Sequence, residues 1–213
     1  MQEVIKIYSK AHPNIQLKAI PGHFVTPNSH VNYFLDMTTL KARLSEASMV
    51  ARELGRQVMI STVVDTIVCI DGCEIIGAFL AEELTRAGIY SRNAHKTIYI
   101  ITPEYTTSGQ MMFRDNYLPM VKEKNVLLLL TSATTGKTVS KAIQTLTYYG
   151  ASISGISAVF SAANSIAGMP VNSLFTTADI PDYMTYSSEK CTMCKEKKPI
   201  DAFANAFGYS KII

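Results

Sequence analysis

The run Val126-Leu-Leu-Leu-Leu130 passes directly into Thr131-Ser-Ala-Thr-Thr-Gly-Lys-Thr138. Five aliphatic residues in a row leave no polar face, which predicts a strand covered on both sides within a parallel sheet. Over residues 139–149, Val139, Ala142, Ile143 and Leu146 fall at helical spacing. The hydroxyl-rich segment therefore lies where a buried strand hands over to a helix. Unpaired backbone N–H groups and the positive end of the helix dipole favour an anion there, and Thr134, Thr135 and Thr138 add hydroxyl donors. A phosphate is the ligand this arrangement predicts. The plainer reading is a strand-to-helix turn with threonine capping. Gly136-Lys137-Thr138 also ends like a nucleoside triphosphate P-loop, but that motif needs glycine where Thr131 stands.

Strand and helix patterns alternate along the rest of the chain. Leu40, Leu44, Ala47, Ala51 and Leu54 predict an amphipathic helix over 39–54. A strand over 66–70 follows, then the turn Asp71-Gly72-Cys73-Glu74 and a helix over 74–87 closed by Gly88. Further strands are predicted over 97–101 and 153–160. This order implies one α/β domain over residues 1–213, with helices on both faces of a five-stranded, mostly parallel sheet. Ligands in such folds gather beyond the carboxyl ends of the strands. The loops placed there are 71–74, 102–116 and 131–138. Residues 102–116 are long for a compact connection, which suits a lid and suits an ordinary surface excursion or a β-ribbon equally well.

Composition narrows the ligand. A 213-residue chain with 47% hydrophobic residues has ample material for one core. Its 20 basic and 17 acidic residues are interspersed, and a formal charge of +3 is too mild for a nucleic-acid partner. A phosphorylated small molecule is the better match. No apolar run approaches the roughly 20 residues of a membrane helix, and the first residues lack a secretory pattern, so a cytoplasmic protein is expected. The four cysteines, Cys69, Cys73, Cys191 and Cys194, suit reduced thiols. Zinc at Cys191 and Cys194 is conceivable but not favoured, because one Cys-x-x-Cys supplies two of four ligands.

These residues resemble the type I phosphoribosyltransferase family, and within it the orotate phosphoribosyltransferases. Ala133-Thr134-Thr135-Gly136-Lys137-Thr138 is similar to the signature that wraps the 5′-phosphate of phosphoribosyl pyrophosphate (PRPP), so the resemblance assigns phosphate binding to Thr131, Ser132, Ala133, Thr134, Thr135, Gly136, Lys137 and Thr138. Residues 67–77 resemble the shorter loop that holds pyrophosphate, through Asp71, Gly72, Cys73 and Glu74. Residues 102–116 take the place of the flexible catalytic loop, with Ser108, Gly109 and Arg114, its only cation, while His95 and Lys96 precede it. The stretch from His23 to Asp36 is similar to the hood over the base, with His30 and Tyr33 as base contacts. The tail from Cys191 to Tyr209 looks like that of some longer orotate enzymes. A hood from about 1–38 and 170–213, PRPP or another ribose 5-phosphate compound, Mg²⁺, a nucleobase acceptor and a homodimer are all implied by this resemblance alone.

Two departures accompany it. The family's signature places two acids directly before the phosphate loop, where they hold the ribose hydroxyls, and here those positions are Leu130 and Thr131. Orotate enzymes also present an Asp-Arg pair after the next strand, where this chain has Ser161 and Ala162. The expected reaction is transfer of 5-phosphoribosyl to a base nitrogen with loss of pyrophosphate. The alternative is a catalytically silent regulatory relative that binds PRPP or a nucleotide. No catalytic residue and no protein metal ligand at the cleft are assigned.

Overall fold

The structure, a computed structural model, describes residues 3–86, 91–94 and 97–212. In chain order its elements are β1 (Ile5–Tyr8), β2 (Gln16–Val25), β3 (His30–Asp36), α1 (Thr38–Ala42), α2 (Leu44–Val58), β4 (Thr66–Cys69), α3 (Glu74–Arg86) and β5 (Tyr99–Ile101). Then come β6 (Glu104–Tyr105), β7 (Met111–Met112), β8 (Asn125–Ala133), α4 (Lys137–Tyr148), β9 (Ser152–Ser161), β10 (Ser165–Ile166) and β11 (Met169–Thr176). The tail holds β12 (Thr185–Tyr186), α5 (Thr192–Lys195), β13 (Ala202–Asn205) and β14 (Gly208–Lys211).

The core sheet runs β10-β11-β9-β8-β4-β5, five parallel strands with β10 antiparallel at one edge. The aliphatic run of β8 lies near its centre and explains how the layers form. Side chains alternate across a strand, so Leu127 and Leu129 enter the cluster shared with α2 and α3, through Val50, Leu54, Ile76 and Leu80. Val126, Leu128 and Leu130 enter the opposite cluster with Val139, Ala142 and Leu146 of α4. Helices therefore cover both faces, as the unbroken apolar run requires.

The hood is a second sheet, ordered β12-β3-β2-β13-β14 with β1 alongside β2. It joins the two ends of the chain, because β13 pairs in parallel with β2 at Ala202 and Phe24. The hood's C-terminal part begins later than about residue 170, since β11 pairs with β9 and its Leu174 and Phe175 are buried in the core. The helix expected over 39–54 is two helices. Arg43 is extended, with φ −91° and ψ 124°, and the break lets α1 bury Leu40 while turning Lys41 toward the hood.

Other limits shift modestly. The strand expected over 126–130 continues through Ala133, so Thr131, Ser132 and Ala133 are strand residues and the loop shrinks to 134–136. Residues 102–116 contain the ribbon β6–β7, which pairs Glu104 with Met112 and Tyr105 with Met111. Gly88, His95 and Lys96 lie outside the described residues. No helix among those described is long and apolar enough to cross a membrane.

Candidate functional site

A cleft of about 270 Å³ opens where the carboxyl ends of β4 and β8 meet the hood. Of the residues singled out from sequence, it brings together Asp71, Thr131, Ser132, Thr134, Thr138 and Tyr33. Its far side consists of hood residues, among them Phe34, Tyr183, Asn205 and Phe207.

The side of the cleft at the start of α4 is built from backbone. Gly136 precedes α4 with φ 71°, a conformation disfavoured for residues with a Cβ, and no side chain caps the helix. Among the described residues, the N–H groups of Thr134, Thr135, Gly136, Lys137 and Thr138 donate to no protein acceptor. Helix geometry leaves the first-turn N–H groups open, and the positive end of the macrodipole coincides with them. Thr134 and Thr138 line the cleft beside these groups. Thr135 and Lys137 are exposed and, like Gly136, stand outside the lining. Ala133 is buried and its carbonyl accepts from Ala162 N–H at 2.8 Å. The φ of Gly136 favours glycine, and a Cβ there would press to 3.1 Å from Ile166 Cγ2. The space beside its Cα belongs to Ile166 rather than to the cleft.

Position 130 differs in kind from position 131. Both lie in β8 and project to opposite faces. Leu130 is sealed in the core with Val68, Ile70 and Val139, whereas Thr131 reaches the cleft. Only one of the two side chains therefore faces the cleft.

Asp71 and Gly72 both adopt left-handed backbone, φ 67° and 73°, which folds the 71–74 turn tightly over the end of β4. Burial raises the Asp71 carboxyl above its ordinary pKa, while the nearby Lys41 charge opposes that shift. Cys73 is fully buried, and its thiol donates to the carbonyls of Ile70 at 3.0 Å and Leu129 at 3.1 Å. Burial pushes that thiol well up, so Cys73 is a packed structural residue whose side chain takes no part at the cleft. Glu74 is exposed and accepts from Thr102 Oγ1 at 2.9 Å, tying the turn to the start of the ribbon segment.

The ribbon holds itself in shape. Arg114 donates twice to Glu104 Oε2, at 3.0 and 2.7 Å, and this occupies the one cation expected of a flexible loop. Ser108 and Thr106 share a 2.9 Å hydroxyl contact beside Gly109, at the tip. Tyr105 is half exposed, yet crowding around its hydroxyl and the neighbouring Asp71 carboxylate raise its pKa to about 12.

Sequence reading passed over Lys41. Its Nζ donates to Ala206 O at 2.6 Å and Asp71 O at 3.1 Å and lies 5.5 Å from the Phe207 ring centre. It is the one cation lining the cleft among the described residues, and it links the 71–74 turn to the hood. A lysine on an amphipathic helix carries no sequence signal that separates it from an ordinary solvated one. His30, expected at the base, is not part of the lining. It turns away from the cleft to meet His23, at 3.0 Å between ring nitrogens, and Cys194 Sγ, at 3.3 Å.

No family model matches the sequence, and no curated protein sequence matches it. Solved structures do match. Orotate phosphoribosyltransferase of Mycobacterium tuberculosis H37Rv is similar at 15% identity and a TM-score of 0.52, over 78% of this chain and 93% of that one. Orotate phosphoribosyltransferase of Aeropyrum pernix is similar at 20% identity and a TM-score of 0.52, over 75% and 88%. Adenine phosphoribosyltransferase of Thermoanaerobacter pseudethanolicus is similar at 13% identity and a TM-score of 0.50, over 81% and 95%. Parallel core, crossover helices and covering hood together make this the fold of the type I phosphoribosyltransferases.

Proposed function

We propose that the protein is a phosphoribosyltransferase that moves the 5-phosphoribosyl group of PRPP onto a ring nitrogen of a nucleobase and releases pyrophosphate. The observation that carries this reading is the set of unpaired N–H groups at 134–138, opening beside Thr134 and Thr138 into a cleft bounded by a second tight turn and a hood. Such a cradle suits the 5′-phosphate, and Thr131 lies where a ribose hydroxyl would accept or donate. The 71–74 turn and Lys41 suit the pyrophosphate.

In the reaction the C1′–O bond to pyrophosphate breaks, a C1′–N bond to the base forms, and the proton on the base nitrogen passes to the departing pyrophosphate or to solvent. Little covalent help is needed from protein; positioning, charge neutralisation and exclusion of water supply the rate. The Asp71 carboxylate and pyrophosphate oxygens fit a hard oxygen-seeking cation. When bound there, Mg²⁺ would neutralise charge on the leaving group. Tyr33, Phe34, Tyr183 and Phe207 offer ring faces for a planar base, with Asn28 and Asn205 as amide partners. No arginine lines the cleft among the described residues, which disfavours a carboxylated base such as orotate. A homodimer and a cytoplasmic place in nucleotide metabolism belong to the same reading through the resemblance.

One observation favours a second reading, a non-catalytic PRPP or nucleotide sensor. Leu130 is sealed in the core and Thr131 carries no charge, so β8 brings no carboxylate to the sugar. Pyrophosphate release from PRPP and Mg²⁺ across a panel of purine and pyrimidine bases decides between the two. Turnover with one base is the expected result. Silence with every base, alongside retained PRPP binding, would replace the transferase with the sensor.

A further inference from the structure

The hood contains a cluster that the cleft does not use. His23 of β2, His30 of β3 and Cys191 and Cys194 around α5 bring one ligand atom each to a common point, all within 4.8 Å of one another. Cys191 Sγ and Cys194 Sγ each lie 3.6 Å from His23 Nε2, Cys194 Sγ lies 3.3 Å from His30 Nδ1, and the two imidazole nitrogens are 3.0 Å apart. A zinc ion with Zn–N near 2.0–2.1 Å and Zn–S near 2.3 Å at the centre of a tetrahedron separates its ligand atoms by about 3.3–3.8 Å. The cluster therefore already has close to the dimensions of a loaded site.

The surroundings match as well. His23 and Cys191 are 3% and 0% exposed, so these groups face each other away from water. His23 Nδ1 lies 3.1 Å from Lys198 O, which accepts its proton and leaves the Nε2 lone pair aimed into the cluster. Cys194 is exposed and gives an ion a way in. Two thiolates and two imidazoles in tetrahedral array select zinc among common divalent ions.

We propose that His23, His30, Cys191 and Cys194 hold a structural zinc ion that clamps the C-terminal segment onto the β2–β3 hairpin. The clamp acts where backbone pairing is short. His23 N–H donates to Asp201 Oδ2 at 2.7 Å, Asp201 N–H donates to His23 O at 2.9 Å, and β13 then pairs with β2 at only two positions. Beyond it the β13–β14 turn places Asn205, Ala206 and Phe207 over the cleft. Fixing α5 to the hairpin thus fixes the roof of the cleft.

Metal content tests this directly. Protein made in zinc-supplemented medium and dialysed without chelator should retain about one zinc per chain by mass spectrometry, and Cys191→Ser and Cys194→Ser should reduce it to background. A serine variant that fails to fold leaves a second route, cobalt(II) titration of the metal-stripped wild-type chain. Intense visible bands of a tetrahedral ion with thiolate charge transfer, displaced by zinc, are expected. Absence of stoichiometric zinc together with a featureless cobalt spectrum overturns the site. Stripping the zinc should also speed amide exchange several-fold in β13 and β14; unchanged exchange would remove the clamp. None of these readouts uses a substrate, so they stand apart from transferase activity.

Discussion

The core sheet and the hood are held together in different ways. The core buries two large apolar clusters, one on each face of β8. The hood's own cluster is small, Ile20, Phe24, Val31, Ala202 and Ala204, with the rings of Phe34 and Tyr209 tilted against each other beside it. Apolar burial stabilises in proportion to area, and β1 and β2 share in the core's through Ile7, Ile15, Leu17 and Ala19, whereas the C-terminal strands β13 and β14 lean on a two-position pairing with β2, on Lys41 and on the His/Cys cluster. The comparison teaches where order in this molecule is conditional. The half of the cleft that would hold phosphate rests on the core, and the roof of the other half, Asn205, Ala206 and Phe207, rests on the conditional part.

The largest expected effect comes from cutting into the core. Leu129→Ala removes a fully buried side chain from the central strand and should cost about 2–5 kcal/mol of global stability in urea titrations. The counterpart in the hood is Phe24→Ala, which should speed amide exchange in β2, β3 and β13 while β8 and β9 stay protected. Equal loss of protection in both sheets would abolish the distinction between the two regions.

A smaller effect concerns Asp71 at their junction. Its carboxyl has a raised pKa in the folded state, so the folded chain binds the proton more tightly than the unfolded one. Stability from this group is fully present below about pH 3.8, the unfolded value, and is lost as pH rises through the folded pKa. Asp71→Asn should therefore flatten the decline of the urea midpoint just above pH 3.8. A variant whose midpoint tracks the wild type across that window would show that Asp71 is solvated.

How much of this was legible in the sequence follows from the same contrast. The aliphatic run at 126–130 announced a doubly covered strand because burial leaves a mark at every position. The loop between β8 and α4 was legible because glycine, hydroxyls and a strand-to-helix change are local. The extension of β8 through Ala133 was not, since threonine and serine are as common in turns as in strands. The break at Arg43 was hidden by apolar spacing that continues across it. The His/Cys cluster was legible only in halves. Cys191 and Cys194 were seen as a pair, and His23 and His30 were read as hood residues, because nothing local tells a chain which distant segments β2 and β13 will bring together.

The proposed transferase depends on the N–H groups of residues 134–138 wrapping a phosphate. Amide NMR during titration with ribose 5-phosphate tests it most directly. Saturable, large shifts of the Thr134, Thr135, Gly136, Lys137 and Thr138 amides are expected, with roughly tenfold or more weaker binding in Thr134→Ala, as loss of a charge-assisted hydrogen bond implies. Shifts confined to other loops, or amides at 134–138 that do not move at saturation, would contradict it.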